Sequence, residues 1–122
     1  MYRQAEVQSR TPLELVVMLY DGALRFTREA KDAIGRGDIR RRSEAVSRAM
    51  AIISELQSTL DMRAGGDIAV SLDQLYTFVR DCLLAASVRQ DAGPLDDALK
   101  VLTNLRDAWG ELSTSQRLPA SR

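Results

Sequence analysis

The stretch that decides the fold is "TPLELVVMLYDGAL", residues 11–24, which joins a helix start to apolar residues on two sides of the helix. Thr11, Pro12 and Glu14 predict an N-cap, a first helical residue and the third residue of a capping box. At about 100° per residue, the apolar positions fall on two separate lines. The first line, which is wide enough to join a bundle core, comprises Leu15, Leu19, Gly22, Phe26, Ala30 and Ala33. The other line, which we call the second strip, comprises Leu13, Val17, Tyr20 and Leu24.

Glycine and proline divide the rest of the chain into segments that each repeat the helical period. Asp38 and Asp67 predict N-caps, and Gly35 predicts the end of the first helix. The predicted helices span 12–34, 39–62, 68–89 and 94–113. Short connections make successive helices antiparallel. The predicted fold class is all-α: an antiparallel up-down-up-down four-helix bundle over 11–113, with a short flexible N-terminal arm, 1–10, and a disordered C-terminal tail, 114–122.

The composition excludes several classes of function. Lys+Arg and Asp+Glu number 17 each, and the resulting net charge of zero argues against a nucleic-acid binder that depends on a positive field. The absence of histidine excludes a Ser-His-Asp triad, a histidine phosphorelay and a Glu-x-x-His di-iron centre. The single Cys82 cannot form an internal disulfide, and no apolar run approaches the ~20 residues that span a bilayer. These features predict a cytoplasmic protein without a metal site or a membrane-inserted segment.

The second strip allows three interpretations. A neighbouring helix covers it, as in an irregular bundle, or the N-terminal arm folds back over it. Alternatively, the strip is exposed and binds a partner helix. Each of the other three helices also has one apolar residue outside its core line. These residues are each expected to lie at the edge of the core: Ile52, Phe78 and Val101.

Four further residues carry structural predictions. Gly22 lies in mid-helix on the first line, which predicts the close approach of another helix. Trp109 and Cys82 fall on core lines, where they are expected to be buried. Arg42 lies near a core line and is expected to extend its stem over apolar surface or to pair with a carboxylate. A small enzyme that binds a dianion would need several buried Arg or Lys side chains, and only Arg42 is placed for that role.

Four stretches, in this order and spacing, resemble the flagellin-specific export chaperones of bacteria, the FliS family. They are "TPLELVVMLYDGALRF" at 11–26, "AIISELQSTLDMRAGGDIAVSLDQLY" at 51–76, "AASVRQD" at 85–91 and "LTNLRDAWGEL" at 102–112. No single stretch is diagnostic, but the ordered set is specific. The chain departs from the family pattern in its short N-terminal arm and in Ser87, where relatives usually have asparagine.

The resemblance implies a cytoplasmic helical bundle that is not an enzyme and needs no cofactor. Such proteins bind the disordered C-terminal segment of newly made flagellin, prevent its premature polymerisation and keep it competent for type III export. The loaded complex is also expected to dock at the flagellar export-gate protein. The alternative is a structural or regulatory bundle, without a flagellin client, that self-associates through the second strip. The chain is expected to be a monomer or a weak homodimer.

Periodicity, and not the family, supplies the predicted contact residues. The second strip is the first choice, and the N-terminal arm is expected to compete for the same surface. The residues predicted to bind flagellin are Leu13, Val17, Tyr20, Leu24, Tyr2 and Val7, followed by Ile52, Phe78 and Val101.

Overall fold

The computed structural model of the chain describes residues 10–117, with side chains through 115, and shows four α-helices and no strand in that part. The helices are α1 (Pro12–Arg36), α2 (Ile39–Ser58), α3 (Met62–Arg89) and α4 (Gly93–Arg117). α1 packs mainly against α2 and α4, and α3 packs against the same two helices. Because the connections are short, successive helices run in opposite directions. The predicted all-α antiparallel four-helix bundle is therefore confirmed.

The start of α1 follows the predicted capping box. The backbone N–H of Glu14 donates to Thr11 Oγ1 at 3.1 Å, and the backbone N–H of Thr11 donates to Glu14 Oε1 at 2.8 Å. Pro12 occupies the first helical position, where its missing N–H costs nothing. These reciprocal bonds satisfy two backbone donors at the start of the helix.

The end of α1 lies at Gly37 and not at the predicted Gly35. Gly37 adopts the left-handed conformation, with φ of 69°, which suits a residue without a Cβ atom. Its N–H donates to the carbonyl of Ile34 at 3.1 Å, and the N–H of Asp38 donates to the carbonyl of Ala33 at 2.9 Å. This pair of bonds is a Schellman motif, and it fixes the helix end two residues beyond the prediction.

The break between α2 and α3 also differs from the prediction. α2 ends at Ser58, and Asp61, not Asp67, caps α3, its carboxylate accepting from two backbone N–H groups. Within α3 only Gly66 leaves the helical conformation, with φ of 52° and ψ of −131°. The helix has already begun before Gly65-Gly66, because Asp61 is its N-cap. The glycine pair therefore introduces a kink within the helix.

The fourth helix continues to Arg117, beyond the predicted end at 113. The segment 114–117 has no apolar period, which is why a pattern of hydrophobicity does not find it. Most of the predicted N-terminal arm of 1–10, residues 1–9, and the last part of the predicted tail, 118–122, lie outside the described residues.

The two apolar lines of α1 pack against different neighbours. On the first line, a Cβ atom added at Gly22 would lie 3.0 Å from Ile52 Cδ1 on α2, which confirms the close helix approach predicted there. On the other side, Asp21 binds Arg106 and Lys31 binds Asp96, which places α4 along the second strip. The buried core lies between the two lines.

The prediction of an exposed second strip is therefore wrong for Tyr20 and Leu24, which are 0% and 5% exposed. The interpretation in which a neighbouring helix covers the strip holds for these two residues. Their partners in the buried core come from all four helices and include Ile53, Leu56, Val79, Leu83, Leu95 and Leu102.

The residues predicted on or near core lines of α2, α3 and α4 differ in how deeply they are buried. Cys82 is buried, as expected, and Trp109 is half-buried at the core edge. Arg42 is half-buried, and its Nε has no hydrogen-bond partner in the described part of the chain. The carboxylate partner suggested for this nitrogen is thus not found there.

Candidate functional site

The two ends of the bundle differ in how well their apolar side chains are covered. At the end formed by the α1–α2 and α3–α4 turns, Ala33 and Leu95 are fully buried, although Ile39 and Val88 there are 58% and 81% exposed. At the other end, which we call the open end, no large apolar side chain of 12–19, 57–60, 62–75 or 105–115 is buried. The exposed fractions reach 72% at Ile68 and 53% at Leu112. No described helix covers them, and periodicity alone could not show this.

A cleft of about 670 Å³ lies at the open end, between the start of α1 and the C-terminal part of α4. Val17 and Met18 line it from α1, and Arg106 and Gly110 line it from α4. Val17 is half-buried and Met18 is 36% exposed. The cleft therefore combines apolar side chains with charged groups at its rim.

A polar cluster of Tyr20, Tyr76 and Trp109 lies where the buried core meets the open end. Trp109 Nε1 donates to the hydroxyl oxygen of Tyr20 at 3.2 Å, and the two tyrosine oxygens are 2.5 Å apart in a shared hydrogen bond. Burial raises the pKa of both tyrosines above that of free tyrosine. Both hydroxyls therefore stay neutral at physiological pH. Three helices are joined here by side chains whose polar atoms are paired.

We infer from the helical register that Phe78 on α3 and Val101 on α4 lie near each other, and we call the seam between them the α3–α4 groove. Cys82 on α3 lies near α4: burial raises the pKa of its thiol, and the charge of Asp97 on α4 raises it further. Phe78 is one turn before Cys82, and Val101 is one turn after Asp97. Because the helices are antiparallel, these two turns lie side by side. Phe78 is 43% exposed and Val101 is half-buried, so solvent reaches both side chains.

The remaining predicted residues lie in different places. Leu13 and Val17 are half-buried at the open end. Ile52 is half-buried against Gly22 in the contact between α1 and α2. Tyr2 and Val7 lie outside the described residues.

The described residues have neither a cluster of potential metal ligands nor a membrane-spanning helix. No group of three or more Cys, Asp or Glu side chains within them is placed to hold a metal ion. None of their helices reaches the length and apolarity that a bilayer crossing requires.

Comparison with known proteins agrees with this architecture. The family model described as flagellar protein FliS matches residues 1–116. The flagellar secretion chaperone FliS of Bacillus subtilis is 35% identical over 116 residues, which span 95% of this chain and 86% of that protein. Its counterpart in Salmonella typhimurium is 34% identical over 120 residues, 98% of this chain and 89% of that protein. The Campylobacter jejuni protein of the same name is 36% identical over 115 residues, 94% of this chain and 90% of that protein.

These matches confirm the resemblance seen in the sequence motifs. All three relatives are named as chaperones, so the prediction that the chain is not an enzyme is confirmed as well. The match extends over nearly the whole chain, at identities above one third, and the structure is the expected helical bundle. The chain therefore belongs to the FliS family of flagellar proteins.

Proposed function

We propose that this chain is a flagellar secretion chaperone that binds the disordered C-terminal segment of flagellin. In this role it acts in the cytoplasm, prevents premature polymerisation and keeps flagellin competent for type III export. The names of the relatives support the chaperone role, and the open end is the structural observation that carries the binding proposal. The loaded complex then docks at the export-gate protein, and the free chaperone is a monomer or a weak homodimer.

The distribution of apolar surface suits a disordered client. A segment that orders on binding loses conformational entropy, so its affinity must come from a long apolar contact. The open end and the α3–α4 groove adjoin each other along α4, where Val101 is half-buried and Leu112 is 53% exposed. A client that follows this path buries apolar area on two faces of the bundle.

The proposed contacts follow from what each residue exposes. Leu13 and Val17 provide the part of the second strip that solvent reaches, and Phe78 and Val101 provide the groove. Ile52 adds a half-buried edge on the opposite side of α1. Tyr20 and Leu24 support the surface from beneath, because both are buried. Tyr2 and Val7 are proposed to compete with the client for the open end.

A Val17→Asp variant tests the open end. We expect its affinity for a flagellin C-terminal peptide, measured by calorimetry, to fall at least about tenfold, because a carboxylate replaces apolar contact area. Val88→Asp is the matched control, since Val88 is 81% exposed near the far end of α3. Its affinity should equal that of the parent chain.

Two results would count against the proposal. Unchanged affinity of a folded Val17→Asp variant would show that the open end does not bind the client. If that variant loses its helical melt, Leu112→Asp provides the second test, because Leu112 is 53% exposed. Equal loss of binding in the Val88→Asp control would show that the effect is not specific to this surface.

A further inference from the structure

The two halves of α4 are held in the bundle by different kinds of contact. In the first half, Leu95, Ala98 and Leu102 are each 0% exposed. In the segment 105–115, Leu105 and Trp109 are only half-buried, and the one buried side chain there is the small, polar Ser113. Apolar burial, which dominates stability, is therefore concentrated in the first half of the helix.

Two polar contacts connect the segment 105–115 to α1. Arg106 Nε lies 2.8 Å from Asp21 Oδ1, and these side chains are 37% and 53% exposed. Trp109 Nε1 donates to Tyr20 at 3.2 Å. Ion pairs exposed to this degree add little to stability, and Gly110 weakens the helix between the two halves of this segment. The cleft of about 670 Å³ already separates the segment from the start of α1.

The polar cluster allows the segment to leave without an unpaired hydroxyl on α1. When Trp109 withdraws, its N–H bonds to water, while Tyr20 keeps the hydrogen bond to Tyr76. Tyr20 therefore keeps a hydrogen-bond partner on α3 when the segment leaves. Departure would uncover Val17 and Tyr20, which lie on the α4 side of α1 opposite this segment.

From this geometry we propose that the segment 105–115 is a strap that opens from α1 as one unit while the first half of α4 stays packed. Opening is a property of the free chain. That it offers the second strip to a client is a further step, which rests on the proposed function.

Native-state hydrogen exchange of the full chain tests the strap. We expect the amides of 106–115 to share one opening equilibrium, with protection at least about tenfold lower than that of 98–104. Asp21→Asn should lower protection of the strap a further two- to fivefold, roughly the equilibrium effect of losing an exposed ion pair. Lys31→Gln is the matched control, because it removes the other α1–α4 ion pair, Lys31–Asp96, and should leave the strap unchanged.

Three outcomes would contradict the proposal that the strap opens as one unit. One is a smooth gradient of protection that falls toward Arg117, which indicates fraying of the helix end. Another is equal protection in both halves of α4, and the third is an equal effect of the two substitutions on the strap.

Association of a flagellin C-terminal peptide, followed by stopped flow, tests the further step. Asp21→Asn should raise the association rate by the same two- to fivefold factor, and Lys31→Gln should not. Equal rates in all variants would show that the client does not use the strap. Absence of any binding would contradict the proposed function and leave the exchange result valid.

Discussion

At the scale of single residues, the hydroxyl of Tyr20 illustrates how a polar group becomes part of a core. Tyr20 is 0% exposed, yet its oxygen pairs with both Tyr76 and Trp109. A buried hydroxyl is tolerated when its hydrogen bonds are made and is costly when they are lost. The apolar body of Tyr20 fills the space between α1, α3 and α4, and its polar tip finds partners on two of these helices.

The free energy of unfolding should depend on pH above pH 10 because of the cluster of Tyr20, Tyr76 and Trp109. Tyrosine in the unfolded chain ionises near pH 10.0, and burial raises the folded-state pKa of Tyr20 and Tyr76. The contribution of neutral tyrosine is complete below pH 10 and is lost as the pH rises, because only the unfolded chain releases the protons. We expect the free energy of unfolding in urea to fall by up to about 1.4 kcal/mol per tyrosine for each pH unit above 10.

Tyr20→Phe provides the control for that measurement. The variant should be less stable at pH 8 by about 1–3 kcal/mol, because the buried hydroxyl of Tyr76 loses its partner and Trp109 loses its acceptor. It should also show a shallower loss of stability above pH 10. An identical slope in the variant and the parent would mean that Tyr20 does not contribute to the alkaline transition.

At the scale of secondary-structure elements, the end of α1 depends on one backbone conformation. Gly37 has φ of 69°, whereas Gly35 is helical and has open space around the position of a Cβ atom. The two glycines are close in sequence but serve different purposes. A helix stop is decided by which residue enters the left-handed region, and both glycines are chemically able to do so.

Substitution of each glycine by alanine should therefore have opposite effects. Gly37→Ala should destabilise the chain by about 1–2 kcal/mol, because alanine is strained in the left-handed region. Gly35→Ala should stabilise it by up to about 1 kcal/mol through higher helix propensity. Thermal melts followed by circular dichroism measure both changes. Effects of the same sign would show that the helix does not end at Gly37 in solution.

At the scale of the whole molecule, the chain combines a net charge of zero with apolar side chains left exposed at the open end. Recognition that depends on apolar area changes little with ionic strength, whereas electrostatic capture weakens as salt screens the charges. We expect the affinity for a flagellin C-terminal peptide to change less than about threefold between 50 mM and 500 mM NaCl. Calorimetric titrations at the two salt concentrations check this. A loss of tenfold or more would point to charge-based recognition.

Sequence alone determined the number of helices, their antiparallel order and the family. These follow from local features: the capping box at Thr11, the 3.6-residue period and the ordered motifs, the last of which contains Trp109. The close approach of α1 and α2 was also readable, because Gly22 in mid-helix has little other reason to be there.

Tertiary structure decided which apolar side chains are buried and which are exposed. Periodicity gives the angle between Leu19 and Tyr20 around α1, but a neighbouring helix can lie along either direction. Only the packed bundle shows that α4 covers Tyr20 and Leu24, while Ile68 is left exposed at the open end. Whether a side chain is buried depends on which residues pack against it. Those residues are far away in the sequence, so the local pattern does not identify them.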